Sequence, residues 1–276
     1  MQISTLLKQT DKLPNVPDVV LELIEALNNP DAHYSVIAEK VAHDQTISLK
    51  VLRAVNSAYF GLSRKVYSID EAIAILGTNK LKTMVIASGF VNSVDSVQGL
   101  DLRDFWHDSF AVAELAQWLG KRTSLVDDDE AFTAGIVHNI GRLLLHLAEP
   151  ELAISIQDQV RQGKGSRFRI EMEALGFATQ DAGKALLDLW KFPVELGEAV
   201  KHHKRPFAEQ QPPQPLACIL NLACYLNACI RNEREVEIVQ EGLPLAVVKA
   251  AGITPLTLDD VDQALNLDNE LSHIMY

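Results

Sequence analysis

Apolar residues return at intervals of three and four along almost the whole of this chain, and that spacing restricts it to helices. No segment alternates polar and apolar residues between turn residues, as a half-buried strand would. After Pro14 and Pro17, the residues Val19, Val20, Leu23, Ile24 and Leu27 share one helical face, and Asn28-Asn29-Pro30 ends it. Ser35 is placed to cap a helix carrying Val36, Ile37 and Val41. A third helix is predicted from about Thr46 to Phe60, with Leu49, Leu52 and Val55 inward. Ser68-Ile69-Asp70-Glu71 has the form of a capping box, and Gly77 suits the left-handed position that closes a helix. A further helix carries Leu81, Met84, Val85, Ile86 and Phe90.

Between Asn92 and Asp101 the composition shifts to Ser, Asp, Gln and Gly, so two helical lobes are expected, over residues 1–95 and 96–276. The second lobe opens with a helix near Leu102 that holds Phe105, Trp106, Val112, Ala116 and Leu119. Asp127, Asp128 and Asp129 then lead into another helix, where acidic groups favour the positive end of the dipole. That helix is read as continuous through Phe132, Ile136, Val137, Ile140, Leu143 and Leu144. Later helices are predicted over 151–162, 170–175, 179–190, 193–203, 216–230, 244–251 and from Thr257 onward. Gln210 to Pro215 reads as an extended linker, and no repeat of fixed period is present.

The net charge of −12 argues against bulk nucleic-acid binding, which depends on neutralising phosphates with Lys and Arg. The short helices of the first lobe could imitate a helix-turn-helix, but the charge opposes that reading. A local basic cluster, Lys201 to Arg205, reads as a solvated helix end. Cys218, Cys224 and Cys229 lack Cys-x-x-Cys spacing, so buried reduced thiols are expected rather than a structural zinc or redox pair. Neither a signal peptide nor an uncharged apolar run of membrane-spanning length is visible, and a cytoplasmic location without membrane partners is expected. Neither a nucleophile elbow nor a phosphate-binding glycine loop is present.

The most specific stretch is Gly135-Ile136-Val137-His138-Asn139-Ile140-Gly141, a histidine and an amide side by side in an apolar helical pattern. It follows Leu13-Pro14-Asn15-Val16-Pro17, His43-Asp44-Gln45-Thr46-Ile47-Ser48, Asn56-Ser57-Ala58-Tyr59-Phe60-Gly61 and Glu71-Ala72-Ile73-Ala74-Ile75-Leu76-Gly77. Phe105-Trp106-His107, Leu189-Trp190-Lys191-Phe192-Pro193 and Val200-Lys201-His202-His203 complete the series. In that order the motifs resemble the HDOD domain, the output-domain branch of the HD superfamily, over about residues 13–205, with further helices after it. The resemblance implies an all-α, HD-like fold with an N-terminal helical lobe and a C-terminal HD-type lobe.

HD enzymes bind one or two metal ions in a helical pocket and hydrolyse phosphate esters, using His and carboxylate ligands. Carried across by motif, His107 matches the first histidine and His138 the histidine of the His-Asp pair, while Asn139 replaces its aspartate. Thr179 stands where a histidine is frequent, His202 and His203 match a late pair, and Cys224 falls near the final aspartate. An amide is neutral and a far weaker cation ligand than a carboxylate. The resemblance therefore implies a degenerate metal site and no catalytic residue. His138 is read as a hydrogen-bonded core histidine in a packing groove made by Gly135 and Gly141. The alternative is a one-metal site of His107, His138 and His202 or His203. The expected function is a stand-alone regulatory module of bacterial signal transduction that acts on a protein partner and needs no cofactor. The alternative is a divalent-metal phosphohydrolase acting on a phosphate ester, nucleotide or cyclic dinucleotide.

Overall fold

Several of the described helices are set by a capping side chain or a proline in the first turn and by the apolar face beyond it. The structure, a computed structural model, describes residues 2–7, 41–42, 45–56, 62, 64–77, 81, 96–208 and 212–267. Among them the regular structure is helical, and the one pairing of extended backbone is an isolated bridge between Val97 and Leu100. Contacts divide the chain into two units, residues 14–95 with 268–276, and residues 1–13 with 96–267.

In the first of these units α2 (Gln45–Val55) buries Ile47, Val51 and Val55, which lie one turn apart on one face. Leu49, expected inward, is 51% exposed, because it falls half a turn from that face. Asn56 ends the helix and clamps the chain that returns beside it. Its amide donates to the carbonyls of Leu52 (2.8 Å) and Val66 (2.7 Å), and its carbonyl accepts from Val66 N (2.7 Å). Asn56 thus serves local turn chemistry. Ser68 Oγ accepts from Glu71 N at 3.2 Å, starting the helical residues 69–77, which end on Gly77 with φ of +71°. The segments around Pro14 and Pro17, Ser35, His43-Asp44, Tyr59-Phe60 and Met84 to Phe90 lie outside the described residues.

The larger unit holds α1 (Ile3–Leu7), α3 (Leu102–Gly120), α4 (Asp128–Val137), α5 (Ile140–Ala148), α6 (Pro150–Arg161) and α7 (Arg167–Leu175). It continues with α8 (Thr179–Leu189), α9 (Val194–His202), α10 (Pro215–Arg231), α11 (Val236–Glu241), α12 (Leu245–Ala250) and α13 (Leu258–Leu265). Helix α1, read from sequence with the first lobe, packs instead on α8 and α5 and buries Leu6 completely. Asp101, Asp127, Ser166 and Thr257 each accept a main-chain N–H from the turn they open, which fixes the starts of α3, α4, α7 and α13.

Helix α3 is buried nearly all round, with Phe105, Trp106, Phe110, Leu115 and Leu119 in the core, so it forms the axis of the unit. Helix α4 packs along it, and α10 covers another side while also touching α4, α9, α12 and α13. Helix α8 joins α5 to α9. Two glycines permit these contacts. A Cβ on Gly135 would stand 2.3 Å from Ala113 Cα of α3, and one on Gly141 would stand 1.9 Å from Thr179 O of α8. The close approach expected beside His138 is therefore present, but it serves two different helices. The single helix expected across 132–144 is in fact α4 and α5, separated at His138-Asn139. The apolar period runs through the junction unchanged, which is why the sequence reads as continuous. No helix among the described residues is long and apolar enough to cross a membrane.

Candidate functional site

The break between α4 and α5 turns His138 and Asn139 toward a cavity of about 250 Å3. Its wall also includes Asp108 and Val112 of α3, Lys204 after α9, and Cys224, Asn227 and Arg231 of α10. On both helices the lining side chains stand three or four residues apart, as one helical face requires.

Three side chains meet beside this cavity. His138 and His203 are both buried, and their rings meet edge to face with centroids 5.7 Å apart. Their Nδ1 atoms lie 2.7 Å from main-chain carbonyls, those of Gly135 and Val200 respectively. A carbonyl only accepts, so each Nδ1 carries a hydrogen and donates it, and each Nε2 is left to face the interior. Both rings stand close to the Cys224 sulfur. His203 Nε2 makes no hydrogen bond of ordinary geometry, although it stands close enough to the Cys224 sulfur to favour the thiolate.

The charges are arranged accordingly. Burial opposes a charge on His138, yet Cys224 and Asp108 raise its pKa above the ordinary imidazole value. Burial holds His203 below that value. Burial pushes the Cys224 thiol up, but Lys204, His138 and the contact with His203 together bring it well below the usual thiol range. Asp108 accepts from Asn227 Nδ2 at 2.7 Å and from Arg231 at 2.9 Å, and Arg231 also reaches Asp104 at 3.3 Å. Burial pushes the Asp108 carboxyl up, and His138, Arg231 and Asn227 outweigh it, leaving its pKa depressed. A depressed carboxyl adds stability that is complete above its unfolded pKa of about 4 and is lost as pH falls through the folded value. Asp108→Asn is therefore expected to destabilise the protein by about 1 kcal/mol at pH 7. Urea titrations at successive pH values should show the gap from the unsubstituted protein closing below about pH 4. A gap that stays constant with pH would show that the carboxylate charge is not what matters.

The other residues singled out from sequence lie elsewhere. His107 is exposed one turn after the exposed Arg103, while the neighbouring Asp108 takes the place in the cavity expected of it. Thr179 belongs to the packing between helices. Its N–H donates to the buried Glu171 carboxylate at 2.8 Å and its hydroxyl at 3.0 Å. His202 and His203 are both buried. His202 lies 3.1 Å from Glu198 and lines a separate cavity of about 140 Å3 with Lys201, Lys204 and Arg205. The guanidinium of Arg205 stacks 4.4 Å from the centre of the Phe168 ring.

This donor set does not fit a two-cation hydrolytic centre. The position for a bridging carboxylate is an amide, Asn139, and the thiol of Cys224 sits against both imidazoles. Among the described residues no group of three or more His, Cys, Asp or Glu side chains is arranged to hold a metal ion. Asp108, Lys204, Asn227 and Arg231 escaped the sequence reading. The i, i+3 and i, i+7 spacing from Cys224 would have found Asn227 and Arg231.

Comparison with known proteins places this architecture. A solved structure from Shewanella amazonensis, provisionally named a phosphohydrolase, is 32% identical, with a TM-score of 0.81 over 98% of this chain and 96% of that one. An HDOD domain protein of unknown function from Geobacter sulfurreducens is 20% identical, with a TM-score of 0.79 over 98% and 96%, a likeness of fold. An uncharacterised Treponema pallidum protein is 24% identical over 225 residues, or 80% of this chain. The chain spans 42% of that relative's length, and 34% of the length of a Bacillus subtilis relative, YuxH, to which it is 25% identical over 142 residues. The HDOD domain pattern matches residues 13–206, and the chain belongs to the HDOD domain family.

Proposed function

We propose that this protein is a regulatory module of bacterial signal transduction that works by binding a protein partner on its helical surface, not by turning over a phosphate ester. The observation that supports this most is the content of the pocket. His138 faces a thiol, Asn139 supplies no charge, and His107 lies on the outer side of α3. Hydrolysis of a phosphate ester requires a cation to polarise the phosphate and activate water, and hence charged ligands around an open position. A protein-binding role requires only a stable helical surface.

Metal analysis of protein purified without chelator, followed by a phosphatase assay with added manganese, tests the reading. Substoichiometric metal and no turnover are expected. Asn139→Asp is expected to remain inactive as well, because one carboxylate leaves the thiol at Cys224 and the outward His107 unchanged. Stoichiometric metal with turnover that vanishes in His138→Ala would overturn the proposal. It would favour a second reading, a metal-dependent phosphohydrolase acting on a phosphate ester, nucleotide or cyclic dinucleotide. The name given to the Shewanella relative favours that alternative.

A further inference from the structure

Two imidazoles converge on one thiol, and only one of them can be satisfied by it. His138 and His203 both donate from Nδ1 to main-chain carbonyls, so in their neutral forms both Nε2 atoms are acceptors. A thiol has a single proton. Both rings stand close to the Cys224 sulfur, and His203 Nε2 is buried without a hydrogen-bond partner. An unpaired buried acceptor is unfavourable by about 1–3 kcal/mol. Cys224 itself is half-buried and lines the cavity. Lys204, on the same wall, adds positive potential. The other two thiols differ on every count. Cys218 and Cys229 are buried on the core side of α10, and burial pushes the Cys218 thiol up to about 11.

We propose that Cys224 is a site of covalent oxidation by small hydroperoxides, with His138 as the proton donor and His203 as the acceptor that receives the product. In the step, the Cys224 proton moves to His138 Nε2, and the thiolate Sγ attacks the terminal oxygen of the peroxide. The S–O bond forms as the O–O bond breaks, so sulfur is oxidised by two electrons and the peroxide is reduced. The proton on His138 Nε2 passes to the departing hydroxide or alkoxide, which leaves as water or an alcohol. The transferred oxygen keeps its own hydrogen, and the product is a sulfenic acid. Its O–H is the donor that the thiol could not offer to both rings, and His203 Nε2 accepts it. Oxidation thus satisfies the buried nitrogen that the reduced protein leaves unpaired. A cavity of about 250 Å3 leaves room for the added oxygen.

The test needs only the purified, reduced protein, so it stands apart from the question of a signalling partner. The protein is exposed to stoichiometric hydrogen peroxide and quenched at intervals. It is then unfolded, remaining thiols are alkylated, and each cysteine-containing peptide is quantified by mass. Loss of the Cys224 thiol is expected to outpace loss at Cys218 and Cys229 by on the order of tenfold or more. Equal rates at the three sites, or a Cys224 that stays reduced, would overturn the proposal, and this comparison needs no variant. His138→Gln, which removes the transferable proton, is expected to slow oxidation of Cys224 by about tenfold. An unchanged rate in that variant would remove His138 from the step and end the proposal as argued.

Discussion

Alanine at Gly141 is expected to lower the stability of the protein by about 3 kcal/mol or more, well above an ordinary overpacking penalty of about 1–3 kcal/mol. The added Cβ would lie 1.9 Å from Thr179 O and 2.6 Å from Gly183 N, both main-chain atoms of α8. A flexible side chain could swing aside, but two helix backbones can only part. Helix α8 is held on its other sides by α9 and α1, so separation would disturb those contacts as well. Gly183→Ala on the facing helix is the control. Its Cβ would meet Val200 Cγ1 at 3.2 Å, a side chain able to give, and a much smaller loss is expected. Chemical denaturation of both variants measures the difference. A Gly141→Ala protein within about 1 kcal/mol of the original would show that α5 and α8 are not in the contact described.

Glu171→Ala is expected to be nearly as damaging, at about 3 kcal/mol. The Glu171 carboxylate is completely buried, and it receives the N–H and hydroxyl of Thr179 together with a 3.5 Å ion pair from Arg167. Its removal strands a buried main-chain donor at the start of α8, where α7 and α8 are joined. Arg167 retains its bond to Gln157, so the arginine is partly compensated and the Thr179 donors are not. Thr179→Val removes one donor and keeps the shape, and a loss of about 1 kcal/mol is expected there. A double-mutant cycle between Glu171→Gln and Thr179→Val should show coupling, because each change removes part of one bond. Additive losses would mean that the two groups act separately.

The helical map was legible because local chemistry wrote it. Asp101, Asp127 and Thr257 each cap the helix they precede, and apolar periods mark its length. The features that escaped were those set by neighbours distant in sequence. The break at His138-Asn139 leaves no mark in hydrophobicity, since Ile136, Val137 and Ile140 are buried on both sides of it. The short helix α11 was missed for want of a long period. The site was legible at His138, Asn139, His203 and Cys224, which motif order brought near one another before any geometry was known. His107 was misplaced because a motif gives position along the chain but not helical phase. One residue is a turn of about 100°, and that separates the outward His107 from the inward Asp108. Thr179 was misread for a different reason: its partner, Glu171, is eight residues earlier and gives no sign of being buried.

The family pattern ends at residue 206, but the cavity does not. Cys224, Asn227 and Arg231 come from α10, which also covers α3 and carries α12 and α13 on its far side. A chain cut at the family boundary would keep both imidazoles yet lose the thiol they face and the arginine and amide that hold Asp108. It would also lay bare the apolar flank of α3 to water. The matched pattern is therefore smaller than the set of residues that builds this pocket. Differences among relatives in the helices beyond the boundary would alter the pocket without touching a single motif residue.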